Sequence, residues 1–443
     1  MRKAADMGVS PLVIRGGTLV GDSAVMPGAS VEVVDGVIAR VLHAADEGSG
    51  DAEVLDATGC YVIPGVINGH AHGCTTGPLF SSAATPLPLD QVRLNLDRHL
   101  AAGVTTVVNV CGFATFADVP QHPIDIRLGT THLPAAVVAA DTVDGAGLDE
   151  VHRTMTAEHM LDEGAIALGE IGSGATLGGG VAAYRYIPDA VEYAIGRRLD
   201  PATATSLIDA LVGPSRVAEP DDQALAAALR AAGLPEDVRG PVREAVLRYA
   251  SAPVHASLDS FGEAAVLSAR YGRPAVFHVA APSVQRVLEL AQGTAARVVA
   301  GHMNHPSIPV DDAVAWARRL RAAGATIDVS SLDIVGARRL ATPEIADALV
   351  REGLVDTLST DYAGGAWEPM LGLVQYWMDN GSVDLVEGIA MCTSRPAEVF
   401  GLTDRGRIAE GMRADLVLVS TEDVSRVRAV MIAGRIEELP RSR

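Results

Sequence analysis

The sequence predicts an α/β protein built on a (β/α)8 barrel, and two observations carry that prediction. Short apolar, strand-like runs alternate with helical stretches through the middle of the chain, the pattern of a parallel sheet with right-handed crossovers. Five of those runs end on a side chain that ligates metals: Ile63-Pro-Gly-Val-Ile-Asn-Gly-His-Ala-His72, Ala165-Ile-Ala-Leu-Gly-Glu170, Pro274-Ala-Val-Phe-His278, Arg297-Val-Val-Ala-Gly-His302 and Thr357-Leu-Ser-Thr-Asp361. Such a barrel carries its active site at the C-terminal ends of its strands, so ligand residues recurring at strand ends are what it should show.

The first run sets the chemistry. Successive strand side chains alternate faces, so His70 and His72 point the same way. Two adjacent imidazoles are poor core material, because each carries polar nitrogens that need partners. They are good metal ligands. Four imidazoles and two carboxylates are too many for one tetrahedral zinc and fit two ions sharing a bridge.

These residues resemble the pattern of the metal-dependent amidohydrolase superfamily, which places His-x-His after strand 1, a bridging Lys or Glu after strand 4, His after strands 5 and 6, and Asp after strand 8. The resemblance spans nearly the whole chain and implies metal ligands His70, His72, Glu170, His278, His302 and Asp361. It implies two divalent transition-metal ions, zinc first, with iron or a mixed pair as alternatives. His70, His72 and Asp361 would hold the more buried ion, His278 and His302 the other, with Glu170 between them. Two cations sharing a water make hydroxide available near neutral pH. Asp361 is then the catalytic residue, taking the water's proton and giving it to the leaving nitrogen. Many relatives bridge their metals with a carbamylated lysine. Here Lys3 is the only lysine among 35 basic residues, so the bridge must be a native carboxylate.

Composition narrows the partners. The chain has 443 residues, 48% hydrophobic and 20% charged, which fits an ordinary globular core. A net charge of −20 argues against nucleic acid or an anionic membrane as partner and leaves a small-molecule substrate. No apolar run approaches membrane-spanning length, and no apolar stretch follows the basic residues at the start. Cys60, Cys74, Cys111 and Cys392 form no Cys-x-x-Cys pair, so free thiols in a reducing cytoplasm are expected. A homo-oligomer is expected as well.

Taken in order, residues 1–62 read as short alternating strands, with Asp35-Gly36 as a hairpin signal. Residues 403–443 read the same way. The resemblance implies that these two ends unite as a small β-sandwich beside a catalytic barrel at 63–402. Inside the barrel, a helix is expected at 90–102, strand 2 at 104–110, strand 3 at 135–139 and a helix at 148–162. Strand 7 is expected at 325–329 and a closing helix at 385–399. From Glu170 to His278 is more than a hundred residues, whereas a βα unit needs roughly thirty. A helical insertion at about 180–250 follows, with helices at 201–212, 218–232 and 241–249; a lid, an oligomer contact and an outer layer fit it equally. The Gly-rich segment at 170–180 lacks the Gly-Lys-Ser/Thr of a phosphate cradle and reads as close backbone approach beside the site.

Asn304, Thr75, Thr76, Asn109 and Tyr362 are substrate-binding candidates by position, with His305 and Trp367 beside them. His99, His122, His132, His152, His159 and His255 have no strand-end context and read as surface or satisfied histidines. Gly301-His-Met-Asn304 and Ser359-Thr-Asp-Tyr362 are most similar to enamidase, which implies hydrolysis of a cyclic amide. Some ring-opening relatives place an arginine just after His-x-His to hold a carboxylate; Gly73-Cys74-Thr75 stands there instead. The alternative is an adenine-deaminase-like aminohydrolase releasing ammonia from an aromatic amidine, and a catalytically silent scaffold would have to lack a ligand that is present here.

Overall fold

The structure, a computed structural model, describes residues 11–43, 52–177, 182–331, 343–362 and 368–440. Eight parallel strands pair in sequence order: Val66–Ala71, Val104–Asn109, Asp125–Thr130, Ala167–Ile171, Pro274–His278, Arg297–Gly301, Thr326–Ser330 and Thr357–Ser359. Asp361 N donates to His70 O at 2.9 Å and His72 N to Tyr362 O at 3.0 Å, which join the eighth strand to the first. Most of these strands are buried along their whole length, as a parallel sheet covered by helices requires. The first strand is fixed by a glycine: a Cβ on Gly69 would lie 2.5 Å from the Phe400 ring. The strand therefore lies flush on the Ser394–Phe400 helix, and His70 and His72 face inward.

Most expected elements are found, with three corrections. The third strand is Asp125–Thr130, and the segment expected to form it lies in a helix, Pro134–Val143. Its alanine-rich sequence favours a helix, and Pro134 sits at the first helical position. The true strand is masked in the sequence by Asp125 and Arg127, whose charges are paired in the fold. The helix expected at 148–162 is two, Glu150–Thr154 and Ala157–Glu163, the second capped by Thr156 accepting from His159 N. The closing helix also breaks in two, Leu385–Cys392 and Ser394–Phe400.

The chain ends form two further sheets. One holds Leu12–Arg15, Ser30–Val34, Val37–Leu42 and Glu53–Asp56; Asp35 and Gly36 both have positive φ, as the hairpin signal requires. In the other, Leu416–Ser420 pairs antiparallel with Cys60–Pro64, which leads directly into the first barrel strand. Leu12, Ile14, Val31, Val62, Leu416 and Met431 pack between them. No helix among the described residues is long and apolar enough to cross a membrane.

Between the fourth and fifth strands, Ile187–Ile195, Pro201–Val212, Asp222–Ala231 and Arg239–Val246 gather Leu207, Leu211, Leu225, Leu229, Val242 and Val246 into a core of their own. The 20-residue helix Ala252–Tyr271 then returns along the barrel wall. A cavity of about 630 Å³ lies between this insertion and the barrel, lined from below by His278, His305 and Ser307 and from above by Thr205, Ile208 and Arg216. The insertion therefore overhangs the strand ends.

Barrel and C-terminal sheet are clasped by a buried guanidinium. Arg405 is 4% exposed and donates to Asp125 at 2.6 Å, Thr106 at 2.9 Å and Asp404 at 2.9 Å. Arg413 bridges Asp125 at 3.2 Å and Asp415 at 3.1 Å. Burial alone would raise the Asp125 pKa, yet Arg405 and Arg127 hold it below its ordinary value. Arg405→Ala removes a nearly buried guanidinium and its charged hydrogen bonds but leaves Asp125 paired with Arg127 and Arg413, so a loss of about 1.5–3 kcal/mol is expected. The measurement is the urea unfolding midpoint. A loss below about 1 kcal/mol would put the clasp with ordinary surface pairs.

Candidate metal centre

Six side chains from five strand ends meet in one place. Glu170 Oε1 lies 2.8 Å from His278 Nδ1 and 2.7 Å from His302 Nε2. It lies 3.5 Å from His70 Nε2, while Glu170 Oε2 is 3.6 Å from His72 Nε2. Asp361 Oδ1 faces the same histidines at 3.1 Å from His72 and 3.5 Å from His70. His70, His72 and Asp361 lie close enough together that they could hold a metal ion, and so do His70, Glu170 and His302. His70 thus reaches towards both.

The side chains fit divalent cations. The Nε2 atoms of His70 and His72 are 3.3 Å apart, and His278 Nδ1 is 3.0 Å from His302 Nε2. These separations are near the tetrahedral edge of about 3.3 Å that bonds of 2.0–2.1 Å produce. Lone pairs converging at that distance repel unless a proton or a cation lies between them. His70 is driven down to a pKa of about 4 by burial, so it favours the neutral, ligating form. At His302 burial opposes protonation, but hydrogen bonding to Glu170 and its charge prevail and raise the pKa to about 9. At Asp361 burial is likewise overcome, by the His72 hydrogen bond and the imidazole charges, which hold it at about 2.

Backbone geometry brings the ligands in. His302 and Asp361 have φ of 35° and 51°, a region where non-glycine residues are strained. Hydrogen bonds hold both turns: Asp361 N to His70 O, and Met303 N to Asp328 O at 2.8 Å. Gly169, with φ of 132°, precedes Glu170, and a Cβ there would lie 2.8 Å from Val276 O. Within the Gly-rich segment a Cβ on Gly172 would lie 3.0 Å from the Phe261 ring, whereas Gly174 has nothing within 4 Å, so the expected close approach is met at one glycine and not at the other; residues 178–181 lie outside the described residues.

The softer candidates are engaged elsewhere. Asn304 donates to Ser330 O at 2.9 Å and accepts from Ser330 N at 3.0 Å, locking the sixth strand end to the seventh. Asn109 accepts from Cys74 N at 3.2 Å and donates to Thr75 Oγ1 at 3.4 Å, which holds the loop after His72. Thr76 Oγ1 donates to Asp118 O at 3.1 Å. Tyr362 is buried with its hydroxyl on Arg98 and its ring edge-on to His99, 6.0 Å between centroids. None of these lines the cavity below the insertion; His305 does. Trp367 lies outside the described residues.

Two residues carry more than the sequence suggested. Asp328, in the seventh strand, is buried with Oδ2 3.9 Å from His70 Nδ1. It accepts from Thr357 Oγ1 at 2.8 Å, Ser359 Oγ at 2.7 Å and His302 N at 3.4 Å, yet burial still raises its pKa to about 6. A carboxylate inside the apolar run Thr326-Ile-Asp-Val-Ser330 was the readable signal. His132 follows the corrected third strand by two residues, so it has a strand-end context after all. It is buried, accepts or donates at Thr130 Oγ1 over 2.9 Å, and leaves Nε2 without a partner. His99 is a satisfied histidine, bonded to Asn95 O at 2.8 Å and Asn68 at 3.0 Å.

Residues 244–436 match the amidohydrolase family. An adenine deaminase of Ruegeria pomeroyi is 30% identical over 177 residues, covering 38% of this chain and 27% of that protein. Adenine deaminase 3 of Rhizobium meliloti is 29% identical over 153 residues, covering 33% and 24%. The chain thus spans about a quarter of the length of the curated relatives it matches. In fold it is similar to β-aspartyl dipeptidase of Fervidobacterium islandicum, with a TM-score of 0.59 at 15% identity over 97% of this chain and 96% of that one. It is also similar to L-hydantoinase of Arthrobacter aurescens, with a TM-score of 0.56 at 15% identity over 97% and 96%. The family match runs from the insertion through the last four barrel strands and into the C-terminal sheet, and over that stretch the chain is similar to amidohydrolases.

Proposed function

We propose that this chain hydrolyses the C–N bond of a compact cyclic amide, opening the ring to an acid. The observation that carries the reading is Asp361: a carboxylate, 24% exposed, standing within 3.1–3.5 Å of two imidazoles at the mouth of a six-ligand centre. His70, His72, Glu170, His278, His302 and Asp361 would hold two divalent ions, and zinc or iron suits an imidazole-rich set without thiolates. Bound there, such ions supply Lewis acidity and make water a nucleophile near neutral pH.

The protein's own groups do the rest. Asp361, anionic by the pKa argument, accepts the proton of the attacking water and returns it to the departing ring nitrogen, so water adds across the C–N bond. Glu170 keeps its negative charge between the histidines. His305 stands with its ring 5.4 Å from that of His278. Ser307 N donates to its Nδ1 at 3.2 Å, so the ring proton resides on Nε2. Burial holds this imidazole well below its ordinary pKa, leaving a neutral N–H donor for a substrate oxygen. Asp328 Oδ2 lies 3.9 Å from His70 Nδ1, too far for a hydrogen bond, so its contribution to that ring is by charge.

The second reading, deamination of an aromatic amidine, is favoured by the two adenine deaminases among the sequence relatives. Product analysis separates the two. Metal-loaded protein given lactams, imides, hydantoins and adenine should yield ring-opened acids and no stoichiometric ammonia. Ammonia from adenine with the lactams untouched would establish the second reading. In either case Asp361→Asn should lower kcat by roughly 10²–10⁴-fold while metal content is largely kept. Near-normal kcat would remove Asp361 from proton transfer. Asp328→Ala should weaken metal affinity by about 10–100-fold, read by competition with a chelating dye. Unchanged affinity would leave Asp328 a purely structural residue.

A further inference from the structure

The cavity beneath the insertion is chemically lopsided. His278 and His305 line it from the barrel; most of its lining is small or apolar; and its only guanidinium among the described residues is that of Arg216, on the segment after the Pro201–Val212 helix. Arg216 has φ of 64°, so the segment is held in a conformation that a non-glycine residue rarely adopts. Its side chain is 12% exposed. One nitrogen, Nη1, is hydrogen-bonded to Asp209, while Nε and Nη2 have no acceptor among the described residues. The cavity's one carboxylate among the described residues, Asp200, is already engaged: it caps its helix, accepting from Thr203 N at 2.9 Å and Thr203 Oγ1 at 2.6 Å. A largely buried guanidinium with open N–H groups is the side chain best matched to a planar oxyanion, which it grips through two parallel hydrogen bonds.

We infer that Arg216 binds a carboxylate on the substrate, making the insertion a cap that selects acidic ring compounds. This deepens the cyclic-amide reading and rests on it for the identity of the ring. The reacting bond lies by His278 and His305, and the anionic substituent reaches up to the cap. Asp209 meets Nη1 alone, which leaves Nε and Nη2 for the ligand whether or not that pair is kept.

The test uses zinc-loaded full-length protein and a matched pair, dihydrouracil and its 6-carboxy derivative. The unmodified protein should show at least a tenfold higher kcat/KM for the carboxylated ring. Arg216→Gln should raise KM for that ring tenfold or more, change kcat less than threefold, and leave dihydrouracil untouched; Arg216→Lys should recover part of the loss. Asp209→Ala, which breaks the same ion pair but keeps the guanidinium, should retain the preference. Equal losses on both substrates, or Asp209→Ala reproducing the Arg216→Gln defect, would show that the pair only braces the cap and would overturn the inference. Calorimetric binding of the carboxylated ring separates this claim from the ring-opening one. If no ring is opened but binding still weakens tenfold in Arg216→Gln, the carboxylate site stands and the ring-opening reading falls. If rings are opened and binding is indifferent to Arg216, the site falls alone.

Discussion

Everything in the molecule is arranged around a carboxylate buried among imidazoles. Glu170 is 2% exposed and lies within hydrogen-bond distance of two histidine nitrogens, with two more just beyond. Burial disfavours its charge, and the surrounding histidines nevertheless hold its pKa well below the ordinary value. Such a cluster is costly to assemble without cations, because converging lone pairs and a buried anion oppose one another. The scaffold must therefore be rigid enough to impose it, and a closed parallel barrel is.

That rigidity is visible at the ligand turns. His302 and Asp361 sit at strained positive φ, each held by hydrogen bonds to neighbouring strands. Asn304, Asn109 and Asp328 serve the same end: each uses a buried polar side chain to tie one loop or strand end to the next. Polar residues near the strand ends are thus as apt to brace neighbouring loops as to face the cavity. On the far side, Arg405 couples the barrel to the C-terminal sheet, whose strand Leu416–Ser420 grips the segment that becomes the first barrel strand. The small sheets steady the His-x-His motif from behind.

Much of this is legible in the chain itself. The strand ends at His72, Glu170, His278, His302 and Asp361 stand out because five apolar runs, each closing on a metal-ligating side chain, fit the catalytic face of a barrel and little else. The third strand is hard to read because its first half carries Asp125 and Arg127, a half-buried pair whose further partners, Arg405 and Arg413, lie almost three hundred residues away. The alanine-rich segment that follows it is a helix by local propensity. Asp328 is less conspicuous than the ligands because it lies inside its strand rather than at the end.

The barrel, the six side chains at its strand ends and the lack of any lysine among them are readable in the sequence by itself, since periodicity and residue chemistry are local properties. Tertiary structure alone decided where the insertion lies, which polar residues face the cavity and which brace loops, and that Arg216 and His278 line one cavity. The physical reason is that a side chain's surroundings depend on contacts distant along the chain. His305 and Tyr362 look alike in sequence as polar neighbours of ligands, yet one ring lines the cavity and the other is buried beside Arg98 and His99.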